Sequence, residues 1–216
     1  MQKKSNQAVS HSSAPKQVRI IAGQWKRTPL TVVDAPGLRP TPDRVRETVF
    51  NWLSFLCQTQ WSTMRCLDVF AGSGALGFEA ASRGAGQVTL LEAYTPAAVQ
   101  LEKIKLKLNA QQVQIIRGDA RQIVKKLLAS GEQFDVIFLD PPFHTDLLAS
   151  ILPDCVNLLH SHGYLYMEAE KALTLGEYGH THNSDTVDLP SCLEGWQVVR
   201  SDSAGKVYFH LLQRTI

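Results

Sequence analysis

Asp140-Pro141-Pro142-Phe143 stands at the end of an apolar run, Phe134 to Leu139. Asp140 and the Pro141 carbonyl can both accept hydrogen bonds from an amine. Two successive prolines fix the backbone so that a carbonyl can point into a site, and Phe143 offers a face on which a base can stack. The plainer alternative for Asp140 is a turn or helix cap. A second constellation is Gly72-x-Gly74-x-x-Gly77, after the run Arg65 to Phe70 with its single carboxylate, Asp68. Glycines allow a sharp bend and close approach to a ligand, and the helix that follows offers free N–H groups. Read alone, this spacing fits the dinucleotide fingerprint with Glu92 at the end of the next strand, and it also fits a purely structural turn. A hydride-transfer enzyme has no evident need of Asp140 to Phe143. A base-modifying methyltransferase does.

These residues need a scaffold that brings them together. The chain reads as alternating strands and helices. Strands are expected at Arg65–Phe70, Gln87–Leu91, Val113–Ile116, Phe134–Leu139 and Tyr164–Glu168. Helices are expected over Ala75–Arg83, over Thr95–Asn109, amphipathic with Val99, Ile104 and Leu108 among its apolar positions, over Arg121–Ala129 and over Leu147–Leu159. Two β-rich runs, Trp196–Arg200 and Val207–Leu212, flank the turn Ser203-Ala204-Gly205 and predict a terminal hairpin. Alternation implies a parallel sheet with helices on both faces, whose ligands bind at the carboxyl ends of strands. Asp68, Glu92, Asp119 and Asp140 all fall at or near those ends. Residues 171–194 are polar and irregular.

Before the first of these strands, residues 1–16 are polar and read as a disordered tail. Val18–Ile21 and Leu30–Val33 suggest a small hairpin around Trp25-Lys26-Arg27. Trp25 either stacks on a base or plugs a small local core. Pro36 to Pro42 reads as a rigid linker. Thr41 is expected to cap a helix that has Pro42 at its first position and runs to about Leu56. Val45, Val49, Trp52, Leu53 and Leu56 form its inward stripe, with Arg44 and Arg46 off it, free to reach phosphate or to stay in water. From Lys16 to Arg46 there are seven basic residues against two acidic ones, a balance that suits a polyanion.

A chain of 216 residues with 44% hydrophobic composition supports one sizeable core. The net charge of +2 says little about partners. Cys57, Cys66, Cys155 and Cys192 form no C-x-x-C pair, so neither a zinc site nor a disulfide framework is suggested. The His160/His162 and His180/His182 pairs read as solvated, with no metal expected. No apolar leader or spanning run appears, and cytoplasm is the default.

Taken together, Arg19–Trp25, Leu38–Leu53, Leu67–Gly77 and Asp140–Phe143 resemble a class I S-adenosylmethionine-dependent methyltransferase of one kind, the bacterial 16S (small-subunit) ribosomal RNA guanine-N2 methyltransferases, the RsmD family. The resemblance covers nearly the whole chain beyond the tail. It implies a Rossmann-like, seven-stranded, mostly parallel sheet with a C-terminal antiparallel hairpin and a small N-terminal extension. The tail would be 1–16, a basic RNA-binding extension 17–42, and the methyltransferase domain 43–216. It implies methyl transfer from S-adenosylmethionine to the exocyclic N2 of one guanine, on the small ribosomal subunit or an assembly intermediate, by a monomer. Asp68, Phe70, Gly72, Ser73 and Gly74 would hold the amino-acid end of the cofactor. Glu92, with Ala93 beside it, would bind the ribose, and Asp119 and Ala120 the adenine. Asp140, Pro141, Pro142 and Phe143 would receive the base. Arg19, Trp25, Lys26, Arg27, Arg39, Arg44 and Arg46 would contact RNA. Rival readings are a nicotinamide-dependent dehydrogenase, a methyltransferase of the same fold acting on DNA adenine or protein glutamine, and a non-catalytic assembly factor. Asp68 could serve only to fix the glycine turn, and Asp119 only to cap a helix.

Overall fold

A computed structural model describes residues 17–34, 41–58, 60–142, 147–169, 172–174, 186–188, 191–205 and 207–215. Arg39 and Phe143, the tail, the Pro36–Pro40 stretch and much of 171–194 lie outside the described residues.

The chain opens with β1 (Gln17–Arg19) and β2 (Pro29–Thr31), an antiparallel pair, then α1 (Asp43–Leu56). β3 (Arg65–Asp68), α2 (Ala75–Ser82), β4 (Gln87–Glu92), α3 (Thr95–Leu108), β5 (Val113–Arg117), α4 (Ala120–Ala129), β6 (Phe134–Leu139), α5 (Leu147–Asn157) and β7 (Leu159–Ala169) follow in strict alternation. The short parallel pair β8 (Ala172–Thr174) and β9 (Thr186–Asp188) precedes the hairpin of β10 (Trp196–Ala204) and β11 (Val207–Arg214).

The main sheet has seven strands in the order β10-β11-β7-β6-β3-β4-β5. β3 to β7 run parallel, and β11 and β10 close the edge antiparallel. This is the predicted α/β architecture with its terminal hairpin. The chain moves outward from β3 through β4 to β5, then returns to β6 on the other side of β3. The order therefore reverses between the two central strands, the place where open α/β sheets form their ligand crevice at the carboxyl ends. β6 is almost wholly buried, as a strand covered by helices on both faces must be.

Several local expectations are corrected. Val99 is 48% exposed; Ala97, Ala98, Leu101 and Ile104 form the inward face of α3 instead. Alanine packs a helix close to a sheet, so a stripe of two alanines outranked the bulkier Val99. β7 begins at Leu159, so α5 ends two residues earlier than expected. Pro42 is the N-cap of α1, without a side-chain cap bond, and Thr41 has another partner.

The N-terminal hairpin packs against α2. Val18, Ile20, Trp25 and Leu30 share one core with Phe78, Leu90 and Phe138. Every residue of α2 is buried, because the sheet covers one side and the hairpin the other. Glu79, fully buried on α2, accepts the Ile21 N–H at 2.6 Å and the Ala22 N–H at 3.1 Å and pairs with Arg83 at 2.8 Å. Ser82 closes the junction, accepting the Trp25 N–H at 2.9 Å and donating to the Ala22 carbonyl at 2.6 Å.

Candidate active site

The rim of the crevice is built from strand ends. β3 delivers Asp68, 2% exposed, and its Oδ2 accepts the Gly77 N–H at 3.0 Å from the first turn of α2. Gly77 has no room for more: a Cβ there would lie 2.0 Å from Leu90 Cδ2 and 3.3 Å from Asp68 Oδ2. Burial pushes the Asp68 carboxyl up to about 7; the Gly77 amide opposes that rise and the charge of Glu92 adds to it. Gly72 and Gly74 have φ of 52° and 74°. The turn they make is one that side-chain-bearing residues resist.

Glu92, at the end of β4, clasps this turn. Its Oε2 accepts the Gly72 N–H and its Oε1 the Tyr94 N–H, each at 2.7 Å. Burial raises its carboxyl above the usual range against those two donors. Ala93 is exposed beside it, Phe70 is half-buried, and Ser73 is buried within the turn. Asp119 is the N-cap of α4, accepting the Gln122 N–H at 3.2 Å, with Arg121 at 3.1 Å. The Arg121 hydrogen bond holds its carboxyl below the usual range. Ala120 is the first residue of α4.

Asp140 follows β6 directly and is half-buried, next to Asp68 across the switch point. Pro141 is half-buried and Pro142 exposed. Asp140 Oδ2 accepts a hydrogen bond from the Thr41 hydroxyl at 3.0 Å. Burial first, then the negative charge of Glu168, hold the Asp140 carboxyl well above its usual range, and Thr41 pulls the other way. Glu168 is 5% exposed at the end of β7 and accepts the Tyr166 hydroxyl at 2.7 Å. The sequence reading missed Thr41 and Glu168 as site residues. Glu168 had a visible signal, a carboxylate closing an apolar strand as Asp68, Glu92 and Asp140 do. Thr41 had none, because a contact spanning 99 residues leaves no local pattern.

Two residues expected to face RNA are turned inward. Arg46 is fully buried. Its guanidinium donates to the Thr41 carbonyl at 3.1 Å, to the Arg19 carbonyl at 2.9 Å and to Asp43 at 2.6 Å. A side chain that satisfies two backbone carbonyls at a junction gains more there than in water. Trp25 is 9% exposed and fills the core between the hairpin and α2. Arg19, Lys26, Arg27 and Arg44 are exposed, with Arg19 paired to Asp43 at 2.8 Å.

The carboxylate rim and glycine turn fit S-adenosylmethionine as a ligand. Gly77 packs against Leu90 beneath the turn, where no side chain fits. Asp68, Glu92 and Asp140 supply acceptors for a cationic, hydroxyl-rich molecule.

Comparison with known proteins agrees with this geometry. The family model described as Conserved hypothetical protein 95 matches residues 18–213. The chain is 40% identical over 198 residues to ribosomal RNA small subunit methyltransferase D of Escherichia coli K12, covering 92% of this chain and 90% of that protein. It is 38% identical over 207 residues to the Haemophilus influenzae protein of the same name, covering 93% and 96%. Among solved structures, a hypothetical protein of Thermus thermophilus superposes with a TM-score of 0.70 at 26% identity, covering 91% of this chain and 99% of that one. The chain belongs to the ribosomal RNA small subunit methyltransferase D family.

Proposed function

We propose that this protein transfers a methyl group from S-adenosylmethionine to the exocyclic N2 of one guanine in 16S ribosomal RNA. The observation that carries the proposal is the placement of Asp68 and Asp140 at the ends of the two central strands, in a chain of this family. S-adenosylmethionine, bound at this rim, supplies the methyl group as a sulfonium electrophile.

The chain's own residues do the rest. The Gly72–Gly74 turn, Asp68, Phe70 and Ser73 hold the amino-acid end of the cofactor. Glu92 and Ala93 bind its ribose, and Asp119 and Ala120 its adenine. For Glu92 this means exchanging the Gly72 N–H, or sharing it, with a ribose hydroxyl. Asp140 and the Pro141 carbonyl accept the two hydrogens of N2 and so fix its lone pair in line with the methyl carbon. Holding a nucleophile in line is the larger part of such catalysis. Pro142 stiffens the backbone, and Phe143, next in the motif, stacks on the flipped base. The same hydrogen bonds strengthen as positive charge develops on N2, which stabilises the transition state more than the ground state.

Lys26 and Arg27, with Arg19 and Arg39, are the proposed phosphate contacts of the extension 17–42, and Arg44 at the start of α1 adds to them. The substrate is the small subunit or an assembly intermediate. The protein acts in the cytoplasm as a monomer. Among the described residues no helix is long and apolar enough to cross a membrane.

The test is methyl transfer from labelled S-adenosylmethionine to small ribosomal subunits from cells lacking this protein, beside naked ribosomal RNA and DNA. Label in N2-methylguanine at one site, lost in Asp140→Ala, is the expected result. Absence of label on all three substrates, from protein that binds the cofactor, would overturn it.

A further inference from the structure

β6 and β7 run parallel with Leu139 and Met167 in register. The next residues along, Asp140 just past the end of β6 and Glu168 next to last in β7, therefore stand side by side. Tyr166, two residues before Glu168 and on the same face, is fully buried against Phe138 at a ring separation of 6.0 Å. Its hydroxyl donates to Glu168 Oε1 at 2.7 Å. Two carboxylates thus share one dry corner. One faces the crevice with a hydroxyl donor from the segment before α1, and the other sits behind it on a buried phenol.

We propose that Glu168 is a positioning residue for the transfer: held by Tyr166 behind Asp140, its carboxylate makes Asp140 a stronger base for the proton that N2 sheds. The proposal rests on the functional reading above. In the step, the N2 lone pair forms the bond to the methyl carbon as the carbon–sulfur bond breaks and its electron pair leaves on sulfur. The N2–H electrons stay on nitrogen and the proton passes to Asp140. The sulfonium charge and the Asp140 charge vanish together, so the step balances without a further reactant. Water can take this proton in the bulk. In a closed site a base beside the nitrogen, strengthened from behind, does so without reorganising solvent.

The electrostatics agree in direction. Burial raises both carboxyls. The charge of Glu168 raises Asp140 further; Thr41 favours the charged form of both, and Tyr166 that of Glu168. Asp140 therefore titrates against a neighbouring buried carboxyl whose charge opposes its own. The other groups facing the pair are Asp68 from β3, Tyr166 from β7, and Thr41 with the Arg46 guanidinium on its carbonyl. From β11 the residue in register with Glu168 is Phe209, while His210 is in register with Met167, on the other face.

The experiment pairs two measurements on wild type, Glu168→Gln and Tyr166→Phe. One is the carbon-13 titration of the Asp140 carboxyl in cofactor-free protein. The other is single-turnover methyl transfer to the substrate particle against pH. Glu168→Gln keeps the shape and removes the charge. It should lower the Asp140 titration, and with it the acid limb of the rate profile, by about one pH unit. On the plateau it should slow transfer roughly threefold, because the base is weaker. Tyr166→Phe makes the Glu168 charge harder to hold and should move both in the same direction by less. If Glu168→Gln does not fold, Tyr166→Phe decides. An Asp140 titration that stays in place or rises, in a wild type that transfers methyl, would overturn the proposal and leave the function intact. A lowered titration in a wild type that methylates nothing would sink the function and leave the coupling standing.

Discussion

The Thr41 hydroxyl donates to Asp140 Oδ2 at 3.0 Å, tying the segment before α1 to the end of β6. Thr41 is 5% exposed, so water does not replace this donor readily. The bond favours the charged form of Asp140. Thr41→Val keeps the volume and removes it. Asp140 should then hold its proton to higher pH, and the acid limb of methyl transfer should move up by about one unit. Loss of the Thr41 hydroxyl also makes the Glu168 charge harder to hold, which offsets part of this rise, so the shift is read beside that of Glu168→Gln. Thr41→Ser should restore the wild-type profile. A pH–rate series on the three proteins reads all of this.

Arg46 and Arg44 are two residues apart on α1 and should behave oppositely. Arg46→Met strands the Thr41 and Arg19 carbonyls and leaves Asp43 without its buried partner. The cost should be on the order of 3 kcal/mol, seen as a lower urea midpoint. Arg44 is exposed, and Arg44→Ala should stay within about 0.5 kcal/mol of wild type. If Arg44 joins the basic extension in binding RNA, Arg44→Ala should weaken binding to the substrate particle and reduce its salt dependence.

This pair also shows where sequence reading stops. The sheet was legible because alternation of apolar runs with amphipathic stretches is local, and the strand ends carry their carboxylates in plain view. β6 was placed residue for residue, Phe134 to Leu139. The inward turn of Arg46 was not legible. Its position off the apolar stripe of α1 points to solvent in an isolated helix. Here it points to a junction made by β1 and the chain before α1. Trp25 left two readings open, and the docking of the hairpin on α2, sealed by Glu79 and Ser82, decided for the core. Thr41 looked like a helix cap because the residues after it favour a first turn. Its hydroxyl is committed instead to a carboxylate distant in sequence.

Asp68 gives the fold a pH dependence of definite sign. An unfolded aspartate ionises near pH 4, whereas burial holds folded Asp68 up to about 7. Between those values the folded chain binds more protons than the unfolded one. The stability from this group is therefore fully present below about pH 4 and lost as pH rises through about 7. Asp68→Asn keeps an acceptor for the Gly77 N–H and does not titrate. Urea unfolding at pH 5 and at pH 8 should show the wild type losing more stability than the variant across that interval. Cationic cofactor bound beside Asp68 should favour its charged form. Binding near pH 6.5 should then release a proton, measurable by calorimetry in buffers of different ionisation enthalpy, and Asp68→Asn should release less.

Gly23 tests whether the N-terminal hairpin can separate from the rest. Its φ is 80°, and a Cβ there would lie 1.9 Å from the Ser82 carbonyl oxygen and 2.3 Å from its carbon. Both are backbone atoms of α2, so no side-chain rotation relieves the clash. The adjacent Gln24 N–H donates to that same oxygen at 2.7 Å. Gly23→Ala must therefore lift the hairpin, and Ile20, Trp25 and Leu30 with it, off the helix that follows the glycine turn. Gly131 is the control, with a φ of 73° and nothing within 4 Å of an added Cβ. Gly131→Ala carries only the backbone strain, about 1 kcal/mol. Gly23→Ala should cost about 2–4 kcal/mol, a Tm fall of roughly 5–15 °C for a chain of this size. Equal Tm values for the two variants would mean that the hairpin docks too loosely to support α2. A large fall at Gly23 alone would mean that the extension is a structural part of the cofactor turn, because the helix it braces is the one whose first turn binds Asp68.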